Sequence, residues 1–191
     1  MKILAPYSQG ASLCGIIPPH MHRPKQVTLY TDGGCDPNPG PGGYGVVLIQ
    51  GTRRQELSGG YRLTTNNRME LYAAIHGLEA LPEPCQVMLY SDSQYLVNAM
   101  TKGWAARWKK HGWMRNSREK ALNPDLWERL LALCEVHQVS FVWLRGHAGT
   151  PENERCDQLS ARARLQAGLL ADAGYESQPD RDPFAQQARL L

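Results

Sequence analysis

Two six-residue runs in this 191-residue chain, VTLYTD at 27–32 and VMLYSD at 87–92, follow one pattern, and each ends in a carboxylate. If they are neighbouring parallel strands, Asp32 and Asp92 emerge side by side at the carboxyl ends of the strands, where open α/β sheets gather their ligands. An Asp after a strand also caps helices and turns, and for either residue alone that reading stays open. Glu70 lies one turn into an amphipathic helix, between Met69 and Leu71, where an acid also complements the helix dipole. Asp157 follows Cys156 in the last long helical stretch, a place equally suited to a solvated acid. Brought together, such acids repel, and some hold protons unless a cation intervenes. Oxygen donors suit Mg²⁺ or Mn²⁺ better than zinc. Two such ions, about 3.5–4 Å apart, activate water and stabilise the leaving oxygen of a phosphodiester.

The elements that must position these acids are legible from periodicity. Residues 26–31, 44–50 and 55–63 read as strands with short connections, an antiparallel meander. A Gly/Pro-rich turn is expected over 32–43. Apolar residues from Met69 to Leu81 recur at helical spacing, with Thr65 or Asn66 as the cap and Pro82 as the stop. A strand follows over 86–91, then a short helix capped by Ser91 or Ser93. Further helices are expected over 124–137 and from Pro151 to about residue 167, with a strand over 139–144 between them. Strands alternating with helices favour parallel pairing through crossovers. The expected fold class is α/β, a mixed five-stranded sheet with helices on both faces.

Composition narrows the function classes. Hydrophobic residues make up 42% and charged residues 20%, too apolar for a disordered chain. No stretch approaches the roughly 20 apolar residues that span a bilayer. Five cysteines without a C-x-x-C pair argue against a disulfide framework or a thiolate zinc site and point to the cytoplasm. The net charge of +3 is unevenly spread. Seven cations between Lys102 and Lys120 face only Glu119, leaving that segment at +6 and the remainder at −3. A local polyanion contact is the functional reading, a solvated helix face the plain one. Residues 1–25, with four prolines, are expected to be a disordered N-terminal extension, and Met21 is a possible true start. Residues 26–170 form the expected domain, and 171–191 the expected C-terminal tail.

The motifs go further than these patterns. YTDGGCDPNPGPGGYG at 30–45, TTNNRMEL at 64–71, SDSQY at 91–95, WKKHGW at 108–113 and RGHAGTPENERCD at 145–157 stand in one order. Over about 26–165 the chain resembles type 1 ribonuclease H of the bacterial kind. The resemblance implies the ribonuclease H-like fold and a divalent-metal endonuclease that cleaves the RNA strand of an RNA–DNA hybrid, leaving 5′-phosphate and 3′-hydroxyl ends. It implies two Mg²⁺ ions, with Mn²⁺ an alternative, held by Asp32, Glu70, Asp92 and Asp157, and a proton-transfer role for His147 near product release. A histidine in a loop flanked by Gly146 and Gly149 can move, and an imidazole can both take up and release a proton.

The resemblance also assigns substrate contacts. Cys35, Asn38, Asn66, Asn67 and Gln94 match the surface that reads the hybrid groove, where polar groups recognise 2′-hydroxyls without reading base sequence. Trp104 and Trp108, four apart and so on one helix face, match apolar contacts to deoxyribose, with Lys109 and Lys110 on phosphates. Both tryptophans could instead belong to the core, Trp104 in part. Thr65 and Asn123 match part of a pocket for a DNA phosphate. Gly34 stands where a Ser is common, and Leu63 where some members place an Arg for that pocket; Arg62 is adjacent but should point elsewhere along an extended strand. The expected partner is the hybrid duplex, with no membrane contact, and the expected state is a monomer. A nuclease or transposase of another branch of the fold, or a hybrid-binding domain without catalysis, are the alternatives. The TTNNRMEL and HAGTPENERCD runs oppose the first, and the presence of all four acids opposes the second.

Overall fold

The VTLYTD and VMLYSD runs pair in parallel and in register, Val27 on Val87, Leu29 on Leu89 and Thr31 on Ser91. The structure, a computed structural model, describes residues 24–177; the expected disordered extension up to residue 23, with the start at Met21, and the expected tail from residue 178 lie outside them. Along the chain come β1 (Lys25–Cys35), β2 (Gly40–Gln50), β3 (Arg53–Thr64), α1 (Asn66–Glu79), β4 (Cys85–Ser91), α2 (Gln94–Thr101), α3 (Trp104–Lys110), α4 (Pro124–Val136), β5 (Gln138–Trp143), α5 (Pro151–Ala163) and the short α6 (Ala173–Glu176). The sheet order is β3-β2-β1-β4-β5. The first three strands are antiparallel, and β1, β4 and β5 are mutually parallel.

Alternation along β1 assigns the two faces. Leu29 lies against α1 near Gly77, whereas the backbone of Tyr30 accepts the Cys156 thiol of α5 at 3.2 Å. Helices α1 and α5 therefore cover opposite faces, as period-2 side-chain alternation requires. Leu29, Leu71, Ile75, Leu78, Leu89, Leu96, Trp127 and Leu130 are fully buried between the sheet and the α1 side. Truncating one of these leucines to Ala costs about 2–5 kcal/mol. Thr65 caps α1 by accepting the Arg68 N–H, and Ser93 caps α2 by accepting the Leu96 N–H, which decides both capping alternatives.

Two boundaries differ from expectation. The Gly-rich stretch after Asp32 is not a turn: β1 runs on to Cys35, paired with Gly42, and only the pairing with β4 stops at Thr31. Glycine there serves close packing, since a Cβ on Gly33 would lie 2.3 Å from the Met69 carbonyl carbon of α1. At the other end, residues 171–177 do not leave the body as the start of a tail. Asp172 is fully buried and Tyr175 nearly so. Polar composition concealed this, because a buried ion pair rather than an apolar stripe anchors the segment.

Candidate active site

Asp32 projects from β1 one residue past the last β1–β4 pair, and Asp92 follows the end of β4. Glu70 comes from α1 just past its first turn, where the helix rests on the backbone at Gly33. Oxygen atoms of these three carboxylates all lie within 4.8 Å of one another. Burial raises the Asp32 carboxyl to about 7, helped by the charges of Asp92 and Asp157 and opposed by the Gly33 N–H, which donates to Asp32 Oδ1 at 2.8 Å, and by His147. Burial also holds the Glu70 carboxyl well above the usual range, with Asp32 and Asp92 acting in the same direction. Glu70 Oε2 is buried without a hydrogen-bond partner.

An orphaned buried oxygen inside a set of mutually repelling acids fits a divalent cation. The donor set is all oxygen, which suits a hard ion of the Mg²⁺ or Mn²⁺ kind. Asp157 and His147 stand apart from this trio. Both are exposed, and both are near enough for their charges to act on Asp32. His147 takes a left-handed backbone (φ 52) in the loop before α5, a conformation uncommon for a residue with a Cβ.

Seven of the expected substrate contacts line two concavities, and Cys35, Gln94, Lys109 and Lys110 lie outside both. Asn38, Thr65, Asn66, Asn67 and Asn123 line one polar cavity of about 290 Å³, together with Leu122. The Asn66 side chain accepts the Cys35 N–H at 2.7 Å, and Asn38 Oδ1 accepts the Asn66 N–H at 3.3 Å, so the turn after β1 is tied to the start of α1. Burial pushes the Cys35 thiol up to about 11, which favours the protonated thiol over a thiolate nucleophile. Gln94 is exposed at the start of α2.

The second cavity, about 360 Å³, is walled by Tyr95, Trp104, Arg107, Trp108, Arg115, Ala121 and Leu122. Trp108 corrects its expected role in part. It is only 7% exposed and packs edge-on against Trp127 at 5.9 Å, so it is core first and cavity wall second. Trp104 is the more accessible of the pair, with the Lys102 ammonium over its ring at 5.1 Å. Lys109 and Lys110 are exposed at the end of α3. Leu63 is 37% exposed, and Arg62 turns away to pair with Glu176 at 2.6 Å.

Two residues at the site escaped the reading of motifs. Asn153, in the first turn of α5, is 4% exposed; its side-chain amide donates to Asp92 Oδ2 at 3.4 Å, and its Oδ1 is buried without a partner. Its place four residues before Asp157 was the available signal. Arg68, two residues before Glu70, is completely buried. Following Asn66 and Asn67 and preceding the apolar series that starts at Met69, it gave no local signal.

Comparison with known proteins agrees with this geometry. Residues 24–165 match the RNase H family model. The ribonuclease H of Syntrophus aciditrophicus (strain SB) is 71% identical over 151 residues, which cover 79% of this chain and 87% of that protein. The ribonuclease HI of Synechocystis sp. (strain ATCC 27184 / PCC 6803 / Kazusa) is 60% identical over 153 residues, 80% of this chain and 96% of that one. Among solved structures, LC9-RNase H1, described as a type 1 RNase H with the type 2 active-site motif, superposes with a TM-score of 0.66 at 30% identity, covering 87% of this chain and 85% of that chain. LC11-RNase H1, solved in complex with an RNA/DNA hybrid, superposes with a TM-score of 0.56 at 25% identity, covering 72% of this chain and 95% of that chain.

Proposed function

Since this chain belongs to the ribonuclease H family, we propose that it is the endonuclease its acids describe, hydrolysing the RNA strand of RNA–DNA hybrids to 5′-phosphate and 3′-hydroxyl ends. The observation that carries the reading is the convergence of Asp32, Glu70 and Asp92, with the unpartnered Glu70 Oε2 among them. These three carboxylates hold the divalent ions, a pair of Mg²⁺ or Mn²⁺ in our reading, and Asp157 completes the set from α5. When bound, the ions supply a water of lowered pKa and neutralise charge at the scissile phosphate.

The remaining roles belong to the chain's own side chains. His147, on its exposed loop, takes up and releases a proton at a ring nitrogen as product leaves. Asn38, Asn66, Asn67 and Gln94, with the groups around Cys35, meet the 2′-hydroxyls that distinguish RNA. Thr65 and Asn123 hold a phosphate of the DNA strand; with Leu63 in place of a cation, the polar cavity supplies hydrogen bonds rather than charge. Trp104 and the exposed edge of Trp108 lie against deoxyribose, and Lys109 and Lys110 neutralise phosphates. We read the protein as a monomer whose domain is residues 26–170 with the docked segment 171–177 added, its compartment as the cytoplasm. The four described cysteines are free, which suits reducing surroundings. No helix among the described residues is long and apolar enough to cross a membrane.

The test is cleavage of a labelled RNA–DNA hybrid beside the matching single-stranded RNA and both homoduplexes, with and without Mg²⁺. Cleavage confined to the hybrid's RNA strand and dependent on Mg²⁺ is expected. Asp92→Asn should abolish it while hybrid binding persists. Near-normal turnover by that variant would overturn the metal assignment.

A further inference from the structure

Burying an arginine is costly unless every donor of its fork finds an acceptor. Arg68 is fully buried in the first turn of α1, and its whole guanidinium is engaged. Nε and Nη2 donate to the two oxygens of Asp172 at 2.6 and 2.7 Å. Nη2 and Nη1 donate to the two oxygens of Asp125 at 2.6 and 2.9 Å. Nη1 also reaches Asn123 Oδ1 at 3.4 Å, and Nη2 the Tyr72 hydroxyl at 3.4 Å. Two bidentate carboxylates fix the plane of the guanidinium, as a single one would not.

Asp172 reaches this cluster from residues 166–177, beyond the stretch that matches the family model. That segment docks on the edge of β3: Leu170 N–H donates to Gly60 O at 3.2 Å, and Arg62 N–H donates to Leu170 O at 2.9 Å. Residue 174 is pressed against the ions, for a Cβ on Gly174 would lie 2.0 Å from Asp125 Oδ2 and 2.6 Å from Arg68 Nη2. Asp172 is itself fully buried, accepting the Thr64 hydroxyl at 2.6 Å and the Tyr72 hydroxyl at 3.0 Å.

The other side of the cluster is the polar cavity. Thr65, the neighbour of Thr64, accepts the Arg68 N–H. Asn123 holds a left-handed backbone (φ 58), fixed by Arg68 and by its donation to the Tyr95 hydroxyl at 3.4 Å. The two cavity residues come from the β3–α1 junction and the α3–α4 connection, and Arg68 bridges them. We propose that Asp172 is a positioning residue for hybrid binding: through Arg68 it sets the spacing of Thr65 and Asn123 around the DNA phosphate. This rests on reading the cavity as a phosphate subsite.

The experiment compares wild type, Asp172→Asn, Asn123→Ala and the double variant, assayed well below each melting temperature, with hybrids carrying one neutral methylphosphonate at successive DNA positions. In wild type neutralisation should cost affinity at the pocket position as well as at the phosphates met by Lys109 and Lys110, and Asn123→Ala should erase the loss at the pocket position alone. Asp172→Asn should erase it too, raising KM about tenfold, the scale of one charge-assisted hydrogen bond, with a much smaller change in kcat. The double variant should be no worse than the poorer single one. Should Asp172→Asn fail to fold, Thr64→Val, which frees Asp172 from its hydroxyl donor, replaces it and should raise KM in the same direction. If Asn123→Ala behaves as expected while the Asp172 or Thr64 variant changes melting temperature alone, the subsite stands and the positioning role is overturned. If Asn123→Ala erases the loss at no methylphosphonate position and leaves KM unchanged, the subsite reading falls, and the proposal with it.

Discussion

Asp32→Asn should stabilise the metal-free protein while abolishing cleavage. In the folded chain this carboxyl is raised from 3.8 to about 7, chiefly by burial and then by Asp92 and Asp157. Each pKa unit is worth about 1.4 kcal/mol, so ionising Asp32 in the folded state costs about 4 kcal/mol. The sign follows from linkage: a raised folded pKa gives stability that is fully present below about pH 4 and is lost progressively as pH rises through about 7. Asparagine is uncharged and keeps an oxygen for the Gly33 N–H. Because Asp92 and Glu70 share the repulsion, 4 kcal/mol is a ceiling; a gain of about 2–4 kcal/mol is expected at pH 8, roughly half that at pH 5.5, and little at pH 4. Urea unfolding in the presence of EDTA at the three pH values measures it. Adding Mg²⁺ should stabilise wild type more at pH 8 than at pH 5.5, since the ion competes with protons for the same oxygens. A gain that is absent, or flat from pH 4 to pH 8, would refute the argument that these acids form one uncompensated cluster.

His147→Ala should slow turnover about 10²-fold, the lower end of what a positioned proton carrier contributes, and leave Mg²⁺ and hybrid affinity intact; lost Mg²⁺ binding, measured by calorimetry, would make it a ligand instead. Lys109→Ala with Lys110→Ala, in an inactive Asp92→Asn background, should flatten the slope of log Kd against log salt by about 2, at about 0.9 per phosphate contact. An unchanged slope would mean both lysines face solvent. Asn153→Ala should weaken Mg²⁺ binding about tenfold by freeing the Asp92 carboxylate, without loss of stability, because it also removes an orphaned acceptor. Unchanged affinity would reduce that 3.4 Å contact to packing.

What the sequence made legible were features with a local signature. Matched strand patterns foretold the in-register pair of β1 and β4, and with it the meeting of Asp32 and Asp92. Capping Thr65 and Ser93, and Pro124 and Pro151 at the starts of α4 and α5, marked helix ends. Features that depend on distant partners stayed hidden. Glycine after Asp32 reads as a turn, yet here it admits α1 against an unbroken strand. The spacing of Trp104 and Trp108 gives a shared face, but not that Trp127 waits behind one of them. The docking of 166–177 turns on Asp172 meeting an arginine 104 residues earlier, and no local pattern announces it.

Arg68 and Glu70 lie two residues apart on α1, so they leave the helix on different sides. One enters a cluster in which a single cation meets two carboxylates and two hydroxyl or amide groups; the other enters a cluster of acids that repel one another, with His147 acting on Asp32 from outside it. The contrast has a physical consequence. The acid cluster opposes folding until an ion arrives, so the turn that carries Glu70 must be held by other contacts. Thr65 caps the start of that helix, Asn66 ties it to β1, and Arg68 ties it to α4 and to the segment after α5. Asp125 alone would be a poor partner for this, its side chain being 40% exposed, whereas Asp172 is sealed at 0%. The same turn presents Asn66 and Asn67 to the cavity. Metal binding and hybrid recognition therefore share one rigid segment, and the ion cluster behind it stabilises the geometry that the acid cluster in front of it destabilises.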